Sequence, residues 1–272
     1  MLRFSGAGVS DVGRVRPHNE DSAFHGPYVA IVADGVGGAA AGEIASATAA
    51  YVVAATALAR FGDDPVNVLV RAIEDAHESI RAGVAADSDL AGMATTLTAI
   101  ATDGARVALA HVGDSRAYLF RAGVLSQISH DHTYVQHLVD TGQLSPDGRS
   151  THPWRNVVLR SVDGDPEGGG LDVVRLDMEL GDRLLLCSDG LTDLVDDDRI
   201  AAVMVAEDPE SAVATLTQLA LDAGGRDNIT CVVLELIDGP RVVGDGKVLG
   251  ALADPWNVVD AAAVRLPRTQ SA

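Results

Sequence analysis

Apolar residues fall into two rhythms along this chain. Val29 to Ala33, Leu184 to Cys187 and Ile229 to Leu236 are near-continuous runs of Val, Leu, Ile, Ala and Cys, the signature of strands buried on both faces. Leu2 to Val12 alternates more loosely and predicts a first strand. Two stretches keep helical spacing instead: Ala39 to Arg60, with Ile44, Ala47 and Tyr51 inward, and Pro65 to Ala86, with Val66, Leu69, Val70, Ile73 and Ile80 inward. They predict helices lying over a sheet. From Ala94 to Ser129 four short strand-like segments, broken by Asp-Gly, Gly-Asp and Ala-Gly, predict an antiparallel meander. His130 to Gly142 predicts a short helix and Gln143 to Arg155 a polar flap. Strands return at LDVVRLDM and RLLLCSDGL, helices at Asp196 to Val205 and Pro209 to Ala223, and a last strand follows Asp227 and Asn228. Beyond Ile237 the periodicity is lost, and the segment is expected to be a tail, free or docked on the domain.

The places where these runs stop carry the chemistry. VAIVADGVGG ends an apolar strand on Asp34 and turns through Gly35, Gly37 and Gly38. A carboxylate at the lip of a buried strand is costly unless something pairs with it. Asp-Gly is ordinary turn chemistry. Gly35, Gly37 and Ala40 also fit the dinucleotide fingerprint, but Asp34 would oppose a pyrophosphate, and the next element is a second helix where that fold needs a strand. A metal-ligand reading gains from repetition: Asp114 in HVGDSRAYL, Asp189 in LLLCSDGL and Asp227 in RDNIT also sit at strand ends, and Glu20 belongs to the polar segment GRVRPHNEDS with Arg16. An oxygen-only set of this kind suits hard cations, Mg2+ or Mn2+. His130, His132, His137 and His152 have no thiol companion and poor spacing, so zinc is not expected there.

With 272 residues, 47% of them apolar and only 4% aromatic, one domain with an aliphatic core is expected. A net charge of −19 repels nucleic acid and anionic membranes, and no secretion signal or membrane span is evident, so a cytoplasmic protein is expected. Residues 239–272 carry +1 against −20 for the rest. Their GDGK is similar to a phosphate loop, but lacks the required spacing and hydroxyl. Cys187 and Cys231 lie within apolar runs and are expected to be reduced and buried. Neither has an arginine six positions on, which excludes a C-x5-R phosphatase nucleophile: Asp193 and Ile237 stand there.

The ordered set R-x-x-N-E-D-S (Arg16 to Ser22), A-D-G-x-G-G (Ala33 to Gly38), G-D-S-R (Gly113 to Arg116), C-S-D-G-L (Cys187 to Leu191) and D-N-I-T (Asp227 to Thr230) closely resembles the PPM, or PP2C-type, metal-dependent protein serine/threonine phosphatases, in particular their bacterial branch. The resemblance runs from about Gly6 to Ile237. It implies an α+β fold, a four-layer αββα sandwich of two antiparallel sheets flanked by helices, over 1–238, with a flap at about 143–158 and a tail of unassigned role at 239–272. It implies that Asp34 bridges two Mn2+ or Mg2+ ions with the Gly35 carbonyl in one shell, that Asp189 and Asp227 complete the first site, that Glu20 serves the second, and that Asp114 holds a third, weaker ion. Arg16 matches the arginine that grips substrate phosphate, and Asp21 and Asn228 match supporting residues. The implied reaction is hydrolysis of phosphoserine and phosphothreonine in proteins by a cation-activated hydroxide attacking in line, without a phosphoenzyme, opposing Ser/Thr kinases. The expected partners are phosphorylated proteins, with no nucleic acid, no membrane and a monomeric state. Val36 stands where eukaryotic relatives carry a histidine, which leaves the proton donor unassigned, with a metal-bound water expected and His18 and His152 as lesser candidates. Retention of Arg16, Glu20, Asp34, Asp189 and Asp227 disfavours a catalytically silent binding module.

Overall fold

The computed structural model describes residues 1–36, 41–165, 170–243 and 246–259. In chain order they form β1 (Leu2–Asp11), β2 (Asp21–His25), β3 (Val29–Val36), α1 (Gly42–Ala59), α2 (Pro65–Ala86), β4 (Ala94–Thr95), β5 (Leu97–Thr102), β6 (Val107–Val112), β7 (Arg116–Arg121), β8 (Val124–Gln127), α3 (Tyr134–Asp140), β9 (Asp172–Leu176), β10 (Arg183–Cys187), α4 (Asp189–Thr192), α5 (Asp197–Ala206), α6 (Pro209–Asp222), β11 (Ile229–Asp238) and β12 (Lys247–Gly250). One sheet has the order β1-β11-β10-β7-β8 and the other β12-β2-β3-β5-β6-β9, with β4 added to β3. All pairs are antiparallel.

Both sheets are covered on both faces, which is why their central strands lack polar alternation. Ala30 and Val32 of β3 meet Leu184, Leu186, Val232 and Leu234 between the sheets. Val29, Ile31 and Ala33 point the other way, into α1 and α2. Cys231 and Val233 of β11 face α5 and α6 through Ile200, Met204 and Leu216. The result is helices, sheet, sheet, helices, the four layers that the resemblance implies.

The expected meander is split between the sheets. β5 pairs with β6 and β7 with β8, but β6 and β7 do not pair, because the chain leaves one sheet for the other at Gly113–Ser115. Local turn signals cannot distinguish a hairpin from such a crossing. Tyr51 is also placed differently from its expected inward position: it is half-exposed, on the open stripe of α1 with Ala55 and Leu58. The other sides of α1 are enclosed, so Ala, Ser and Thr dominate where neighbouring backbones come close. In length and composition α1 would pass for a membrane span, contrary to the sequence expectation that no window comes near one; here most of it is buried within the fold. The start of the predicted first helix at Ala39 and Ala40, and the turn at Gly37 and Gly38, lie outside the described residues.

Among the described residues after 238, those at 247–252 pack onto the fold. β12 lies antiparallel on β2, and Ala251 and Leu252 are buried against α1. The second sheet therefore takes in residues that the sequence pattern assigned to a tail. Gly244, Asp245 and 260–272 lie outside the described residues.

Candidate metal centre

Strand register brings the acids to one end of the sandwich. Asp21 opens β2 directly opposite Asp34 near the end of β3. Thr96 donates its N–H to the Asp34 carbonyl at 2.8 Å, and Val112, the last residue of β6, is opposite Leu97, so Asp114 follows at the same edge. In the other sheet Cys187 is opposite Cys231 and Arg116, so Asp189 just past β10, Asp227 just before β11 and the start of β7 share an end. Ser188 joins the two ends by donating its hydroxyl to Asp21 at 2.7 Å.

Packing makes these positions rigid. A methyl on Gly35 would lie 2.5 Å from the carbonyl of Gly42 and 2.8 Å from that of Glu20, so only glycine lets β3, the start of α1 and the Glu20 backbone meet. A methyl on Gly42 would in turn lie 3.2 Å from both the Glu20 carboxyl carbon and the Gly35 carbonyl oxygen. The Glu20 carboxylate and the Gly35 carbonyl, both expected at one centre, thus flank the same residue. Asn228 accepts the Glu20 N–H at 2.8 Å and donates to the carbonyls of Val12 and His18 at 2.9 and 3.0 Å. It fixes the loop carrying Arg16.

The electrostatics are those of carboxylates crowded without their counterions. Asp34 is raised well above the ordinary carboxylate range, first by desolvation and then by Asp21, Asp189, Asp114 and Asp227. Asp189 is raised likewise, by desolvation and then by Asp114 and Asp193. Desolvation followed by Asp131 pushes Asp114 up to about 7. Glu20 is raised by desolvation and Glu43. Asp34, Asp114 and Asp189 nonetheless keep part of their surface open to water.

The carboxylates stand within electrostatic range without closing on one point. Among the described residues no three His, Cys, Asp or Glu groups are drawn into a finished coordination sphere. The Arg16 guanidinium donates to Asp227 at 2.7 Å, so the arginine expected to grip phosphate is here engaged with an expected metal ligand. Do the residues suit a hard cation? The donors are all oxygen, and Asp21, fully buried, has one carboxylate oxygen satisfied by Ser188 and Thr230 and the other without a partner. Desolvation pushes Asp21 to about 6. An orphaned buried oxygen facing other raised acids is a site short of positive charge, and divalent cations fit it.

Two features escaped the sequence. Asp193 caps the single turn of α4 and contributes to the raising of Asp189 and Asp114. Its four-residue spacing from Asp189, one helical turn, was the available signal. Arg116 of GDSR turns inward and grips Asp131 of DHT with contacts of 2.6–3.0 Å, and Gln127 adds a third donor at 2.8 Å. Asp131 is only 7% exposed, so Arg116→Met, which strands a buried charge, should cost about 3–5 kcal/mol in urea unfolding. Adding Asp131→Asn should recover part of that loss. Unchanged stability in the single variant would dismiss the pair as a structural element.

His130 pairs with Asp140 at 2.8 Å, and His132 stacks on buried His111 and bonds Asp172 at 3.1 Å. His152 joins Tyr134 and Trp154 in the flap, where Arg149 ties a 3-10 turn at Pro146–Thr151 to Gln136 at 2.7 Å. His18 is exposed and close enough to Glu20 to act on its charge. Val36, in the strand beyond Asp34, pairs with Ala94.

Comparison with known proteins adds an independent finding. The profile of the family described as Protein phosphatase 2C matches residues 17–229. The chain is 43% identical over 239 residues to the serine/threonine protein phosphatase PstP of Mycobacterium tuberculosis, covering 88% of this chain and 46% of that one. It is 35% identical over 242 residues to the serine/threonine phosphatase stp of Listeria monocytogenes, covering 83% and 93%. A crystal structure of the PstP catalytic domain in complex with two manganese ions superposes with a TM-score of 0.80 at 39% identity, covering 88% of this chain and all of that one. The chain spans about half the length of the curated relatives it matches first.

Proposed function

This chain belongs to the protein phosphatase 2C family, and we propose on that footing that it hydrolyses phosphoserine and phosphothreonine esters in proteins, using two Mn2+ or Mg2+ ions held by its acid cluster and opposing Ser/Thr kinases. The observation that carries the reading is the convergence of Asp34, Asp114, Asp189 and Asp227 at the joined ends of two sheets, each acting on the charge of others. Proposed ligands are Asp34, Asp189 and Asp227 for one ion, Glu20 and Asp34 for a second, with the Gly35 carbonyl in one of these two shells, and Asp114 for a third, weaker one. Divalent cations held there would supply Lewis acidity at phosphoryl oxygens and lower the pKa of water toward neutrality.

The protein's own part is positioning and charge. Asp34, fixed through its backbone by Thr95 and Thr96, is held rigid on its own sheet at the centre of the cluster. Arg16, about half-exposed, offers a planar fork to two phosphate oxygens once Asp227 is engaged elsewhere. The surrounding loops are held by Asn228, so the fork approaches from a fixed direction. The net charge of −19 sets nucleic acids and anionic membranes aside as partners. A monomer acting on cytoplasmic phosphoproteins is the proposed setting.

The test is hydrolysis of p-nitrophenyl phosphate and of a phosphothreonine peptide, with Mn2+ and with EDTA. Metal-dependent turnover supports the reading; inertness with Mn2+ favours a silent binding module. Arg16→Ala should lower kcat/KM for the peptide about 10²-fold, about 2.7 kcal/mol, while Mn2+ binding holds or strengthens because Asp227 is released. Loss of Mn2+ binding in step with activity would make Arg16 a support for the ligand instead of a phosphate contact.

A further inference from the structure

We infer that the segment 246–259, beyond the span of the family match, is a clasp that sets the Glu20–Asp21 corner of the metal centre. β12 adds an edge strand to β2, with Leu249 opposite Ala23 and Gly250 opposite Ser22, so its end is level with Asp21. Gly250 has φ +65, and a methyl there would fall on the carbonyl oxygen of Asp21 and 2.8 Å from Ser10 Oγ. No side chain fits between this strand and the corner.

The contacts continue on either side of that point. Ser10 Oγ accepts Asn19 Nδ2 at 2.9 Å, on the loop that leads to Glu20. Ser22 shares a 2.9 Å hydroxyl contact with Ser46 of α1, and Ser46 donates to the Glu20 carbonyl at 2.6 Å. Ala251 and Leu252 are buried against α1, the helix whose first residue, Gly42, packs on Gly35 and the Glu20 carboxyl. Further on, the Val259 N–H donates to Thr48 Oγ1 at 2.9 Å and its side chain packs on Gly83 of α2. One segment therefore spans β2, α1 and α2, and at its centre it backs Asp21, which follows Glu20 in the chain and lies opposite Asp34, the two residues proposed to hold the second cation.

This inference rests on the proposal that the acids hold cations, and the test separates the two. Mn2+ is titrated calorimetrically into the metal-free full chain, its Gly250→Val and Leu252→Ala variants, and Gly62→Ala as control. Gly62 has φ +105, and a methyl added there would meet nothing within 4 Å, so its substitution strains the backbone far from any packing contact. Gly250→Val should raise the Mn2+ dissociation constant at least ten-fold and Leu252→Ala about three-fold, with Gly62→Ala within two-fold of the parent at a comparable loss of Tm. Should Gly250→Val fail to fold, Leu252→Ala decides. Parent-like Mn2+ affinity in the folded clasp variants, or equal weakening in Gly62→Ala, overturns the clasp alone. A parent chain that binds no Mn2+ overturns the cation reading and the clasp with it.

Discussion

Asp34→Asn is expected to abolish turnover and yet to make the metal-free protein harder to unfold. Asp34 is the residue on which the raised acids act together: Asp21, Asp189, Asp114 and Asp227 all push its carboxyl upward on top of its desolvation. A group whose folded pKa exceeds its unfolded value costs the fold stability once the pH is above both. An amide of the same shape removes one charge from that repulsion while keeping the backbone bonds to Thr95 and Thr96. With a unit of pKa worth about 1.4 kcal/mol, and 1 kcal/mol worth about 2–4 °C of Tm in chains of 150–250 residues, the metal-free variant should melt several degrees higher at pH 8. The same change removes an anionic oxygen from the proposed centre, so Mn2+ binding and hydrolysis should both fall by roughly 10³-fold or more. Thermal melts in EDTA, calorimetry with Mn2+ and p-nitrophenyl phosphate turnover measure the three effects on one sample. An Asp34→Asn protein that still hydrolyses at the parental rate would remove the acid cluster from the reaction.

The acids were legible because each interrupts an apolar run: Asp34 after Val29 to Ala33, Asp189 after Leu184 to Cys187, Asp227 before Ile229 to Leu236. Such an interruption costs free energy unless it is used, so it stands out in one dimension. That they meet was not legible from spacing, since it depends on registers such as Asp21 opposite Asp34 and Cys187 opposite Cys231. The split at Gly113–Ser115 was hidden for the same reason: a hairpin and a crossing use the same turn residues. β12 was hidden by its length. Lys247–Gly250 is four residues with no apolar run, and its stability comes from pairing with β2, more than two hundred positions earlier. Asp193 was passed over because it ends no strand; its importance arises only through proximity to Asp189 and Asp114.

The gap in thermal stability between Mn2+-loaded and EDTA-treated protein should widen as the pH rises from 5.5 to 8. Asp21, at about 6, and Asp114, at about 7, bind their protons more tightly when folded than at their ordinary value of 3.8, and Asp34 and Asp189 are likewise raised well above it. Their contribution is complete below pH 3.8 and is lost as the pH climbs through the folded values. Histidines oppose this. Burial lowers His111 from 6.5 to about 4, and desolvation also lowers His25, His77 and His132, so their contribution is present above 6.5 and lost as the pH falls. For His111 alone the full loss is about 3 kcal/mol. The histidine slope acts equally on loaded and stripped protein and cancels in the difference. The acid slope does not cancel, because a coordinated carboxylate no longer waits for a proton. At 100 times the dissociation constant one bound ion adds about 2.7 kcal/mol, or about 5–10 °C at the conversion above, and this should shrink toward pH 5.5 as protons compete. Mn2+ binding at pH 7 should therefore release protons, seen as a dependence of the calorimetric heat on the ionisation enthalpy of the buffer. A gap that stays constant from pH 5.5 to 8, with no buffer dependence, would mean that the ions bind away from the raised acids.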